Sequence, residues 1–204
     1  MHSNNFIRVL KTPDNITPEL LQKCIQDDRK AIQVLYKICF GTLMPVCLRY
    51  HNNEEDARSS FHLAFMKILQ NLKKMPDNLI FFPWAKRITV NTLIDEYRKK
   101  RNYSDKISGK ETERELEISG NYYENDGEQE IGYELILKIV AELPDVTGKV
   151  FNLFVIEGYS HKEISEMLDM SEGTSKWHLS TGRKTIREKL EQLEKINNEL
   201  KMAL

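Results

Sequence analysis

The sequence predicts an all-α fold of two helical domains joined by a flexible acidic linker, the second a helix-turn-helix. Three observations carry the prediction. Apolar residues recur at steps of three and four in several blocks, and no segment alternates as a strand would. Between the blocks, residues 104–131 hold Gly109, Gly120 and Gly127, three Ser and many Glu, with little sustained periodicity. Near the C-terminus, a Ser-x-x-Glu capping signal opens a short apolar stripe, and a longer two-faced helix follows it after a brief turn. The expected organisation is a tail at 1–17, a first domain at 18–103, the linker at 104–131, a second domain at 132–190 and a helical tail at 191–204.

Elements follow in order. Leu20, Leu21, Cys24 and Ile25 share one face, as do Ala31, Ile32, Leu35, Tyr36, Ile38 and Cys39. Pro45 either opens a new helix or kinks an existing one. His51–Glu55 is a polar break, and a helix over 57–72 presents Phe61, Ala64, Phe65, Ile68, Leu69 and Leu72 as one stripe. A loop at 75–82 leads through Pro83 into a helix at about 84–101 that ends in a basic cluster. In the second domain Ile136, Ile139 and Val140 share a face, Leu143-Pro144 stops that helix, and 150–156 is a short apolar helix ended by Gly158.

Charge and cysteine usage narrow the function classes. The net charge of -1 conceals an asymmetry: residues 18–103 carry 15 Lys/Arg against 9 Asp/Glu, and 104–132 carry 3 against 9. Cys24, Cys39 and Cys47 form no C-x-x-C pair. Residues 1–15 lack the apolar core of a signal peptide and no apolar run approaches ~18 residues, so the expectation is a protein of the reducing cytoplasm, without a membrane span. Cys39, Cys47 and His51 could ligate zinc only in an unfamiliar spacing, and buried helix-core cysteines are the other reading. No nucleophile–base pair, phosphate loop or metal spacing is visible, so neither enzyme activity nor a cofactor or metal is expected.

The most specific stretch is 158–190. The Ser160 hydroxyl can accept from the Glu163 amide while the Glu163 carboxylate reaches back. Ile164, Met167 and Leu168 form an apolar stripe, Asp169-Met170 makes the turn, and Ser171 can cap the next helix. In that helix Leu179, Gly182, Ile186, Leu190 and Leu193 form the stripe expected to be buried. Trp177 lies roughly opposite, with Thr174, Ser180, Thr181 and Lys184 near it and Lys176, Arg183 and Arg187 along one flank. Cations suit phosphates, and the hydroxyls suit base edges in a major groove; a plain solvated face is the alternative.

The run Gly158-Tyr159-Ser160-x-x-Glu163-Ile164-Ser165-x-x-Leu168, with Ser171-Glu172-Gly173-Thr174, resembles the promoter −35 reading domain of extracytoplasmic-function sigma factors. The preceding "ELPDVTGKVFNLFVIEGYS" resembles their usual approach to it. The resemblance implies DNA contact by Lys176, Trp177, Ser180, Thr181 and Arg183, and the helix face adds Thr174 and Lys184. His178 and Thr181 stand where the family often has Arg or Lys, and Gly182 replaces a common alanine, at ~1 kcal/mol of helix propensity.

"FFPWAKRITVNTLIDEYRKKRN" resembles the −10 element segment of the same family, which implies DNA contact by Arg87, Asn91, Asp95, Arg98, Lys99 and Arg101. The chemistry is reasonable in itself, because an amide such as Asn91 can hold an unpaired base and the cations can hold phosphates. Trp84 is either a core residue or a base contact, and the 98–101 run either a charged helix end or a DNA contact. "EEDARSSFHLAFMKILQNL" resembles the polymerase-binding helix, implying contacts from Glu54, Glu55, Asp56, Phe65 and Lys67. Ser59, His62 and Leu63 fill its usual acidic and amide positions.

The resemblance implies a dissociable subunit of RNA polymerase that recognises and melts promoter DNA. Its partners would be core RNA polymerase, promoter DNA and an inhibitory anti-sigma protein. A regulator using only the helix-turn-helix, or a sigma-like decoy that binds only an anti-sigma protein, are the competing readings.

Overall fold

In a computed structural model, residues 16–76, 79–108 and 128–203 are described. The chain divides into two compact units, Met1–Thr112 and Glu113–Leu204. Every regular element among the described residues is helical.

The first unit opens with α1 (Pro18–Ile25), where Thr17 Oγ1 accepts from the Leu20 amide at 3.2 Å and Pro18 occupies the first turn. Asp27 turns the chain at φ 60°, and Asp28 caps α2 (Arg29–Leu48) by accepting from the Ala31 amide at 2.9 Å. Helix α2 runs straight through Pro45 rather than restarting there. Proline removes one amide, so the carbonyl four residues earlier, that of Gly41, loses its usual partner while the helix is held by its buried face. That face is Ala31, Leu35, Cys39, Leu43, Met44, Val46 and Cys47. Among the described residues α2 alone is long and apolar enough to cross a membrane; here its apolar face is buried within the first unit. All three cysteines are free and buried, and burial pushes the Cys39 and Cys47 thiols up to about 12.

Helix α3 (Glu54–Asn71) begins three residues before the hydrophobic pattern suggests. The cause is local: Asn53 Oδ1 accepts from the Asp56 amide at 2.8 Å, and Glu54, Glu55 and Asp56 place three negative charges at the positive end of the helix dipole. Tyr36 and Phe40 of α2 meet Phe61 and Phe65 of α3 edge to face at 5.2–5.4 Å. A 3-10 turn (Leu72–Lys74) ends α3. Helix α4 (Phe81–Ser108) extends beyond the expected 84–101 at both ends and buries Ala85, Val90, Leu93 and Ile94 against α2 and α3. Thr89 and Thr92 are buried as well, each returning its hydroxyl to the carbonyl four residues earlier.

In the second unit α5 (Glu128–Ala141) starts inside the stretch expected to be linker. The flexible behaviour expected of 104–131 lies outside the described residues at 109–127, as does the tail at 1–15. Helix α6 is Asp145–Phe151, followed by a π-helical turn (Asn152–Ile156), so the short apolar helix expected at 150–156 is the end of a longer irregular one. Gly158, at φ 79°, redirects the chain into α7 (His161–Leu168). Helix α8 (Glu172–Ala203) is continuous through the expected domain end at 190.

Ile139, Val140, Val150, Leu153, Ile164, Leu168, Leu179 and Ile186 form the core of this unit. The expected stripe on α8 fades beyond Ile186: Leu190 is half-buried and Leu193 exposed, because the helix outruns the elements it packs on. Gly182 has a structural reason. A methyl group there would lie 3.1 Å from Thr147 Cγ2, so glycine permits the close approach of α6 and α8.

Candidate nucleic-acid interface

The helix-turn-helix is built by three local devices. Ser160 forms a full capping box: its Oγ accepts from the Glu163 amide at 3.3 Å, and the Ser160 amide donates to Glu163 Oε2 at 2.8 Å. Asp169 ends α7 in the left-handed region at φ 53°, ψ 59°. Ser171 then starts α8, its Oγ accepting from the Thr174 amide at 3.0 Å.

Once α8 is seated on α6 and α7, its outward residues are settled. Thr174, Lys176, Trp177, Ser180, Arg183 and Lys184 are exposed, with Trp177 at 61%, while Thr181 is half-buried. The Thr174 hydroxyl meets Ser171 Oγ at 2.9 Å, so it also serves the cap. Lys176 pairs with Glu172 at 3.9 Å and Lys184 with Glu188 at 3.8 Å. Both are exposed pairs one turn apart, weak enough for the lysines to exchange partners. The Arg183 guanidinium lies over the Phe154 ring, 5.8 Å from its centre.

On α4, Arg87, Asn91 and Asp95 recur every four residues and all are exposed, so they form one ridge, which Arg98 and Lys99 continue as exposed cations. Arg101 is half-buried. Trp84 is half-buried, with its ring 5.9 Å from that of Phe81, intermediate between the two roles expected of it. Asp95 pairs with Lys67 of α3 at 3.4 Å, joining a residue expected at DNA to one expected at the polymerase.

The residues expected to meet polymerase do not form one set. Glu55 and Asp56 are exposed, and Glu54 is engaged by Arg58 at 2.5 Å. Phe65, at 5% exposed, is part of the Tyr36–Phe61 aromatic cluster, so its ring serves the core of the first unit. Leu63 and Met66 are the exposed apolar groups of that helix, and His62 bonds Tyr36 across the pair of helices at 2.8 Å. The sequence reading also missed Phe154 and His161. Nothing local marks them, since Phe154 reads as one more apolar position and His161 as an ordinary first-turn residue.

The Sigma-70, region 4 family profile matches residues 133–186, which hold α7 and the first half of α8. The chain is 28% identical over 174 residues to the extracytoplasmic-function RNA polymerase sigma factor SigW of Bacillus subtilis, covering 81% of this chain and 92% of that protein. The chain is thus similar to extracytoplasmic-function sigma factors over most of its length, and its second unit matches the Sigma-70, region 4 profile.

The chain is also 24% identical over 157 residues to the probable RNA polymerase sigma factor RfaY of Xanthomonas campestris pv. campestris, covering 76% of the chain but only 39% of that longer protein. Among solved structures it is similar to the sigma factor RpoE of Bartonella quintana in complex with the anti-sigma factor NepR. That likeness has 16% identity and a TM-score of 0.48, over 81% of this chain and 98% of that one. The profile match falls on the unit that holds the helix-turn-helix.

Proposed function

We propose that this protein binds core RNA polymerase in the cytoplasm, recognises promoter −35 and −10 elements, and promotes strand opening at the start of transcription. The observation that carries the reading is the face of α8: Lys176, Trp177, Ser180, Arg183 and Lys184 stand exposed on the second helix of a fully capped helix-turn-helix. The ridge Arg87–Asn91–Asp95 on α4, followed by Arg98 and Lys99, supports a second contact of different chemistry, an amide for an unpaired base among cations for phosphates. The protein acts as a dissociable specificity subunit and not as an enzyme itself. An anti-sigma protein that covers the DNA-facing surfaces is part of the proposal, and the Bartonella relative was solved with such a partner.

The test is transcription in vitro from a genomic promoter pool with the organism's own core enzyme, alongside capture of core polymerase by the purified chain. Specific transcripts that need the added chain support the reading. DNA binding without polymerase capture would mean a regulator that uses only its helix-turn-helix. Loss of both, with retained binding to an anti-sigma protein, would mean a decoy, the reading that Ser59, His62 and Leu63 favour.

A further inference from the structure

Phe154 is half-buried in the π-helical turn, and two other elements use its ring. The imidazole of His161, the first residue of α7, stacks on it with centres 4.4 Å apart and planes inclined by 25°. Arg183 of α8 brings its guanidinium to 5.8 Å from the same ring centre. His161 Nδ1 lies 2.9 Å from Ser175 Oγ, and Ser175 is wholly buried and adjoins Lys176. The imidazole is therefore pinned at two points while remaining partly exposed. Lys176 and Arg183, two turns apart on α8, share the face beside it. Pinning removes most of the ordering cost that a free surface histidine would meet on binding an anion.

We propose that His161, Lys176 and Arg183 form a phosphate-binding site for the backbone of duplex DNA, at which His161 takes up one proton as the phosphodiester arrives. The inference rests on the DNA-facing reading of α8 and deepens it by adding a residue and a coupled ion.

The electrostatics run in the required direction. In the free protein, burial and then the positive charge of Lys176 hold the His161 imidazole below its usual range; Glu172 pulls the other way and Arg183 adds to the depression. Glu172 is also the partner of Lys176, so its carboxylate is shared between them. A phosphodiester carries one negative charge. Its arrival offsets the two cations, and the imidazole gains a proton from solvent, with no other bond made or broken. Nδ1–H then donates to Ser175 Oγ and leaves Nε2–H for a phosphate oxygen, a charge-assisted bond. The Phe154 face accepts the ring in either state, stacking with the neutral form and attracting the cation.

The sign follows from linkage. A group whose pKa rises on binding adds affinity that is fully present below its free value and is lost as pH rises through its bound value. The experiment is an NMR titration of the His161 ring in the full chain. It is run alone, with a duplex that the full chain selects from a random pool, and with inorganic phosphate. Duplex affinity is measured in parallel from about pH 8 to about pH 6. The duplex is expected to raise the His161 pKa by about one unit, and affinity to rise about threefold to tenfold on acidification. His161→Gln should flatten that rise, with His178→Gln as the control that keeps it. His161→Lys should hold near-acid affinity at every pH.

An imidazole that titrates identically with and without duplex overturns the proposal, as does a His161→Gln variant that keeps the full pH dependence. A shift produced equally by inorganic phosphate overturns the assignment to the DNA backbone in favour of a free anion. If Lys176→Ala and Arg183→Ala leave duplex affinity unchanged, the DNA-facing reading of α8 itself fails. If they weaken binding while His161 stays indifferent, only the proton-linked site fails.

Discussion

Helix α4 carries Arg87, Asn91 and Asp95 on a helix whose opposite side is buried against α2 and α3. Helix α8 carries Lys176, Trp177 and Arg183 in turns whose start is fixed by Ser160, Asp169 and Ser171. Both faces are backed by packing, but the second is in addition set by hydrogen bonds and one left-handed residue just upstream. Packing tolerates no loss of volume but is indifferent to any one hydrogen bond. A capped motif is the reverse, because each cap satisfies amides that nothing else reaches. The two candidate DNA surfaces should therefore fail under different mutations.

The largest expected effect is Phe65→Ala, which empties the middle of the aromatic cluster and should destabilise the first unit by ~3–5 kcal/mol. The chain has two tryptophans, Trp84 in the first unit and Trp177 in the second. Urea unfolding of single-tryptophan versions should show the Trp84 transition displaced and the Trp177 transition unmoved. Equal displacement of both would merge the two units into one folding body.

Next come the functional substitutions, which sharpen the contrast in chemistry. Lys176→Ala and Arg183→Ala should each weaken duplex binding by ~1–2 kcal/mol and reduce its salt dependence. Asn91→Ala should spare duplex affinity and impair strand opening, read by permanganate reactivity of the promoter. Normal opening by Asn91→Ala, together with unchanged duplex affinity in Lys176→Ala, would reverse the assignment of the two helices.

Ser160→Ala should cost ~1 kcal/mol, confined to the second unit, by stripping the capping box. The thermal midpoint of the Trp177 signal reports it, and an unchanged midpoint would mean the turn is held by packing after all. The smallest effect is expected from Asp95→Asn, which opens the Lys67 pair. Both side chains are well exposed, so a double-mutant cycle with Lys67→Met should give a coupling of no more than ~1 kcal/mol. A larger coupling would make the pair a structural tie between α3 and α4.

What the sequence made legible divides along the same line. Ser160 and Ser171 could be read directly because their partners lie within three residues, and Trp177 could be placed outside because the stripe of Leu179 and Ile186 fixed the helix phase. The place of Phe65 could not be read, because a family contact and a core ring occupy the same periodic position, and only the approach of Tyr36 from α2 puts the ring in the core. Leu193 failed for the complementary reason, since periodicity says which way a side chain points but not whether anything is there to meet it. Phe154 and His161 acquire meaning only when the π-helical turn, α7 and α8 converge.

The unbroken course of α8 has a mechanical side. Its 32 residues make a rod of ~48 Å, with Lys176, Arg183 and Lys184 exposed in the first half and Leu193 and Ile196 exposed beyond the core of the unit. The closest approach to α6, at Gly182, lies roughly a third of the way along, so a larger side chain there would lift the helix off its seat near the turns that carry Lys176 and Trp177.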